Sequence, residues 1–501
     1  MFKEYAKYDA LGLAKLIKDK EVSANEVLQA ALDATNRINP KLNAVIARFD
    51  EQAKASLDNA QSQNAPFVGV PFLLKDLGFE LAGQPSRMGS RSIHYVPTES
   101  NELVKRMQKT GVAIFGKTNT PELGLIITTE PKSKGVTHNP FKKGYSSGGS
   151  SGGSAAAVSS GIVPMASAGD GGGSIRFPAA WCGVFGMKPS RGRNPNGPFI
   201  GEGWEGATAD HVISRSVRDS AAMLDATAGR EVGAGFVIES PKGAFLDAVS
   251  RPPKALKIAV MQDPLVPNTK VDKSVQTVLE QTAKQLENLG HHVDYAQPNI
   301  DINTMWRDFS IVVCSHTAQT INALAKRFGK EQVAKLEPHT RNMVMLGQGL
   351  SATDLLSAKE GWHDVQYQMG LLLDQYDVIL SPTVPTPAVK HGVLPPNKLE
   401  AGAVKLTGML SRGVNVSKVA FKTGLVERIS HPVLSKMAYT MVGNITGLPA
   451  MSVPLGMSPK GLPIGMQFIG CMADEETLFS LAGQLESEGL FKDSAVDRYS
   501  K

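Results

Sequence analysis

Cysteine is scarce: there are three residues in 501, Cys182, Cys314 and Cys471, odd in number and far apart. None forms a Cys-x-x-Cys pair. Count and spacing argue against a disulfide framework and against a zinc site, and a reducing compartment fits. A surplus of one charge is also missing. Lys and Arg number 53 against 47 Asp and Glu, a net +6 over a long chain, which is too dilute for a nucleic-acid footprint. Much of that surplus gathers at 398–428, where six Lys/Arg stand against two Glu. The segment reads as a solvated loop, with a basic lid near a substrate carboxylate as the sharper alternative. Long apolar runs are lacking too. The opening MFKEYAKYDALGLAKLIKDKEVS carries charge throughout and does not read as a signal peptide. The most noticeable charge-free stretch, 144–169, is Gly, Ser and Ala and makes a poor membrane span. A cytoplasmic protein is expected. With 42% hydrophobic and 20% charged residues, wholesale disorder is excluded.

What is present is an alternation of helical and strand patterns. Leu11, Leu13, Leu16 and Ile17, then Val27, Leu28, Ala31 and Leu32, recur at helical spacing. Ser23 before Glu26 reads as a capping box. The apolar run 68–74 predicts a strand ending at Lys75-Asp76, and 101–109 predicts a helix before a strand at 111–115. Further strands are predicted at 257–261, 292–296, 377–380, 451–455 and 464–469, with helices at 275–289 and 475–488. This is the pattern of a layered α/β fold around a mixed sheet. Residues 233–256 are irregular and read as a boundary or insertion.

Glycine is the abundant residue, 49 in all, and 17 of them fall between 144 and 206. Three common motifs match in or near that window, and each lacks its structural context. Gly111-Val-Ala-Ile-Phe-Gly-Lys-Thr118 fits a P-loop, but its variable positions read as the strand itself, not as a phosphate cradle. Gly201-Glu-Gly-Trp-Glu-Gly206 fits a dinucleotide fingerprint without a strand before it or a helix after it. Gly148-Gly-Ser-Ser-Gly152 fits a nucleophile elbow, but Lys142-Lys-Gly-Tyr-Ser146 before it is no strand. A flexible linker also fails, because the Gly/Ser run continues into Ala-Ala-Ala-Val158 and then an apolar, Pro-anchored segment.

The whole window, GYSSGGSSGGSAAAVSSGIVPMASAGDGGGSIRFPAAWCGVFGMKPSRG, resembles the amidase signature family. That family's pattern is GGSSGG, about twenty residues, then GxDxGGSIRxPA. One departure is Ala168 at the first glycine of the second motif. Val70-Pro-Phe-Leu-Leu-Lys-Asp76 is similar to the family's strand ending in a lysine, and Gly116-Lys-Thr-Asn-Thr-Pro-Glu122 to its GKTNxxE segment. The segments 444–454 and 465–468 are similar to its C-terminal return. The resemblance implies an α/β fold with a large mixed, twisted sheet covered by helices on both faces. It divides the chain into N-terminal helices (1–60), the signature core (61–230), a variable pocket region in the same fold (231–435) and a C-terminal return (436–501).

For chemistry, the resemblance implies a Ser–cis-Ser–Lys triad. Ser174 would be the nucleophile, Ser150 the bridging serine after a cis peptide bond, and Lys75 the base. This is sound chemistry, since a serine needs a neutral base and burial can lower a lysine by about 3–5 units. Gly171, Gly172, Gly173 and Ser174 would supply backbone N–H groups to an oxyanion. Thr118 and Ser151 are candidate pocket residues, Cys314 reads first as a core residue of a helix with the pocket as its alternative, and Asp170 and Arg176 are an expected structural ion pair. Pocket walls are expected from 118–125, 198–206, 303–345 and 398–428. Cys182 reads as a small core residue. No metal or organic cofactor is called for. The expected partner is a small amide, with neither nucleic acid nor membrane, and a homodimer is open to it. The Gly169-Asp-Gly-Gly172 run is more similar to the 6-aminohexanoate-cyclic-dimer hydrolase group than to the amidotransferase subunit. The expected function is therefore an amidase acting on a small linear or cyclic carboxamide, of the 6-aminohexanoate-oligomer or aryl-amide type. An amidotransferase subunit releasing ammonia from glutamine in a tRNA-dependent complex is the alternative.

Overall fold

In a computed structural model, which describes residues 2–60, 65–394 and 416–499, eleven strands hydrogen-bond into one sheet. They are β1 (Val45–Arg48), β2 (Pro71–Lys75), β3 (Ala113–Thr118), β4 (Met165–Asp170), β5 (Phe185–Lys188), β6 (Ala209–Ser214), β7 (Lys257–Val260), β8 (His292–Tyr295), β9 (Val378–Pro382), β10 (Ala450–Met457) and β11 (Pro463–Gly470). Their order is β1-β3-β2-β4-β6-β5-β10-β11-β9-β7-β8. The sheet is mixed, as expected. β2 runs parallel to β3 and β4, and β7 parallel to β8 and β9, while the pairings between these two groups are antiparallel.

Helices lie on both faces. Along β11, Met466 and Phe468 pack with the helices Lys273–Asn288 and Glu475–Ser487. Ile469 points the other way and joins the cluster of the helices Ile302–Phe328 and Ala352–Leu373. Strands covered on both faces need no polar alternation, and Pro-Phe-Leu-Leu-Lys of β2 is buried throughout. The helix Gly152–Ser159 is buried along its whole length. Its small residues make that possible, since a Cβ on Gly153 would lie 2.4 Å from the Asn119 backbone nitrogen.

The capping box of Ser23 and Glu26 is present. Gly116-Lys-Thr118, the apparent P-loop, lies inside β3 and offers no cradle. The irregular stretch 233–256 contains one short helix, Phe245–Val249. In the basic segment, 395–415 lie outside the described residues, and helices begin at Val416–Lys422 and Leu425–Leu434. No described helix is long and apolar enough to cross a membrane.

Candidate active site

The carboxyl-terminal ends of β2 and β4 lie near one another at a cavity of about 540 Å³. Lys75 is the last residue of β2, and Asp170 the last of β4. Between them in the wall stand Ser150, just ahead of the helix Gly152–Ser159, and Ser174, in the turn after β4. The three residues singled out from the sequence, 75, 150 and 174, thus share one cavity. The Gly149–Ser150 peptide is cis, and a second cis bond precedes Pro198.

Lys75 Nζ donates to Ser150 Oγ at 2.8 Å and to the Gly169 carbonyl at 3.3 Å. Burial lowers this lysine to about 8, against the opposing pull of Asp210 and Asp170. A buried amine disfavours its own charge, so a sizeable fraction is neutral within reach of mild pH. Ser174 is only partly buried and so accessible from the cavity.

The turn after β4 is built around Asp170. Burial works against the charge of Asp170, but the Arg176 guanidinium and Asn444 hold its carboxyl well below the usual carboxylate range. Arg176 Nη2 and Nε reach the two carboxylate oxygens at 2.9 Å and 3.0 Å. The other faces of Arg176 donate to the Thr440 carbonyl, Gln467 Oε1 and Asn444 Oδ1. This is the structural ion pair expected from the sequence, anchored from the C-terminal return. Removing one partner strands the other charge in the interior. Arg176→Ala is therefore expected to destabilise the protein by about 3–5 kcal/mol in denaturant unfolding; unchanged stability would contradict a clamping role.

The backbone donors divide differently from expectation. Gly173 N–H already donates to Asp170 Oδ1 at 2.6 Å, so it is not available to a substrate oxygen. The N–H groups of Gly171, Gly172 and Ser174 have no acceptor among the described residues. Side chains here are excluded by close neighbours. A Cβ on Gly171 would stand 2.8 Å from the Trp204 ring, and on Gly173, at φ +125°, 2.4 Å from Thr440 Oγ1.

The remaining candidates lie apart from the cavity wall. Thr118 is buried, with its hydroxyl 2.8 Å from Ser154 Oγ. Ser151 Oγ bonds both the carbonyl and the N–H of Gly169, tying β4 to the bridging-serine loop. Cys314 is in the interior of the helix Ile302–Phe328, with burial pushing its thiol up to about 12. Cys182 is buried too, and its thiol is likewise pushed up.

Three of the expected wall segments do contribute: Leu123 to Leu125, the loop around Phe199 to Trp204, and the helix face from His316 to Phe328. Glu205 fastens that loop to the helices, bonding His316 Nε2 at 2.9 Å and Lys359 Nζ at 2.8 Å. Sequence reading missed the wall formed by Leu77, Glu80, Tyr95 and Asn101, and missed Asp210. The signal for Asp210 was slight: it is the one acid in the Ala-Asp-His-Val-Ile-Ser strand, just after the glycine-rich window.

A family model described as Amidase matches residues 26–479. The 6-aminohexanoate-cyclic-dimer hydrolase of Paenarthrobacter ureafaciens is 32% identical over 493 residues, covering 95% of this chain and 94% of the relative. A solved structure of 6-aminohexanoate cyclic dimer hydrolase complexed with substrate superposes with a TM-score of 0.86 at 30% identity, covering 98% of this chain and 99% of the other. A bacterial aryl acylamidase of the amidase signature family superposes at 0.83 with 25% identity, covering 98% and 97%.

Proposed function

The chain belongs to the amidase family and is an amidase; from that premise we propose that it hydrolyses a small linear or cyclic carboxamide through an acyl-enzyme on Ser174. The observation that carries the mechanism is the 2.8 Å contact between Lys75 Nζ and Ser150 Oγ in the wall that also holds Ser174. Ser174 Oγ attacks the amide carbonyl carbon. Its proton passes to Ser150 as Ser150 gives its own to Lys75, and the relay then returns a proton to the leaving amine. Carbon–nitrogen cleavage leaves an ester on Ser174. Water, activated by the same relay, releases the acid. The negative oxygen formed in each attack is received by the free N–H groups near Gly171 and Gly172, a term worth about 10²–10³ in rate per donor.

The cavity volume suits a molecule of modest size. Its wall sets Leu77, Met88, Leu123, Phe199, Trp204 and Phe328 among polar residues such as Thr98, Asn196, Gln319 and Arg327, and the apolar share of its surface is the larger, which leaves room for an apolar acyl or amine portion. The similarity to 6-aminohexanoate cyclic dimer hydrolase and aryl acylamidase supports amides of those two types. The amidotransferase alternative has less support. A panel of aliphatic, aryl, cyclic-dimer and glutamine amides, read by amine release from the isolated chain, tests the reading. Turnover of a cyclic or aryl amide is expected. Ammonia release from glutamine alone would overturn it.

A further inference from the structure

The relay proposed above uses Lys75, Ser150 and Ser174, yet one more ionisable group stands at the lysine. Asp210 on β6 pairs with Gly169 on β4. A methyl group on Gly169 would lie 2.2 Å from Asp210 Oδ1 and 3.8 Å from Lys75 Nζ, which places carboxyl and amine no more than 6.0 Å apart. Both residues line the cavity with Ser150 and Ser174. The Asp210 backbone carbonyl accepts from Asn194 Nδ2, while its carboxyl has no hydrogen-bond donor among the described residues.

The other charged groups around Lys75 are already engaged. Asp170, from β4, is held by Arg176 and Asn444. Asp76, next in sequence, lies 3.6 Å from Lys117 of β3. Glu80 accepts from Tyr95 Oη and Ser86 Oγ. His211, beside Asp210 on β6, is turned to Ser220. Asp210 is therefore the carboxyl near Lys75 that no described donor holds; besides Lys75, the charge of Asp170 acts on it, in the opposite direction.

We propose that Asp210 is a positioning residue of the amidase reaction: its carboxylate, when ionised, stands opposite Lys75 and favours the protonated amine, and so sets the pH at which the lysine is free to take a proton from Ser150. The inference rests on the roles assigned to Lys75 and Ser150 above. Two groups this close titrate as a pair. An ionised Asp210 keeps the proton on Lys75; a protonated Asp210 leaves the lysine easier to neutralise. The directions agree with this. Burial raises Asp210 to about 7, with Lys75 opposing, and Asp210 is the first of the charges that raise Lys75.

The test is the pH profile of kcat/KM for an amide that the wild-type chain hydrolyses, in wild type, Asp210→Asn and Asp210→Glu. Without the carboxylate, Lys75 loses its proton more readily. The acidic limb of Asp210→Asn is expected to move at least about one pH unit lower, the shift an opposite charge at this distance typically exerts. Asp210→Glu, which keeps the charge, is expected to restore the limb toward the wild-type position. Asp210→Ser gives the same reading if the asparagine variant is poorly folded. A limb that stays in place in both neutral variants, or a loss by one constant factor at every pH, overturns the inference and leaves the proposed function standing. Absence of any amide hydrolysis by the wild-type chain overturns both.

Discussion

Ser174→Ala is expected to lower kcat/KM for amide hydrolysis by at least about 10⁴-fold, the scale on which nucleophile loss is felt in serine hydrolases. The reason is stoichiometric: without Oγ no ester can form, and the relay through Ser150 and Lys75 has no proton to move. The fold is expected to survive. The Ser174 side chain makes no hydrogen bond among the described residues, and the turn is held through its backbone and through Asp170. Thermal unfolding should therefore match wild type while amine release disappears. Full retained activity would remove Ser174 from the mechanism.

Lys75→Ala is the second large effect. Removing a positioned base typically costs about 10²–10⁴-fold, and the upper end is expected here because Ser150 has no other base at hand. The pH dependence has a definite sign. Lys75 accepts a proton only when neutral, and burial lowers it to about 8. In wild type, kcat/KM should rise with pH up to that region and flatten above it. In Lys75→Ala the residual activity should lose this limb. A harmless Lys75→Ala together with a histidine substitution that abolishes activity would favour a Ser–His hydrolase instead. The histidine on the cavity wall, His316, is occupied with Glu205.

The parts of this molecule that sequence made legible are those where chemistry forbids substitution. The turn 169–174 is glycine because Trp204 and Thr440 crowd it, and a run without side chains is visible in any composition count. β2 was legible because an apolar strand ending in Lys-Asp is an unusual place for a charge. β4, by contrast, was missed as a strand. Met-Ala-Ser-Ala-Gly-Asp is small and mixed, and it is a strand because β2 and β6 pair with it on either side. Tertiary pairing overrides a weak local preference there. The same holds for Gly173: its position in the motif suggested an oxyanion donor, but its N–H is turned to Asp170, an orientation that only backbone torsions fix. The wall formed by Glu80, Tyr95 and Asn101 comes from a stretch with little regular structure between β2 and the helix Glu102–Lys109. No periodicity marks such residues. Cys314 was placed by its region of the chain, and one helical face decides the outcome: His316, Thr317 and Thr320 face the cavity, and Cys314 does not.

The central claim, an acyl-transferring Ser174 activated by Lys75 through Ser150, is tested most directly by covalent labelling with a fluorophosphonate, a serine-directed probe, followed by intact mass and peptide mapping. One adduct is expected, on the peptide containing Ser174. It should be absent in Ser174→Ala and slowed in Lys75→Ala in step with the loss of hydrolysis. Labelling at another residue, or amide turnover that continues in fully labelled protein, would contradict it.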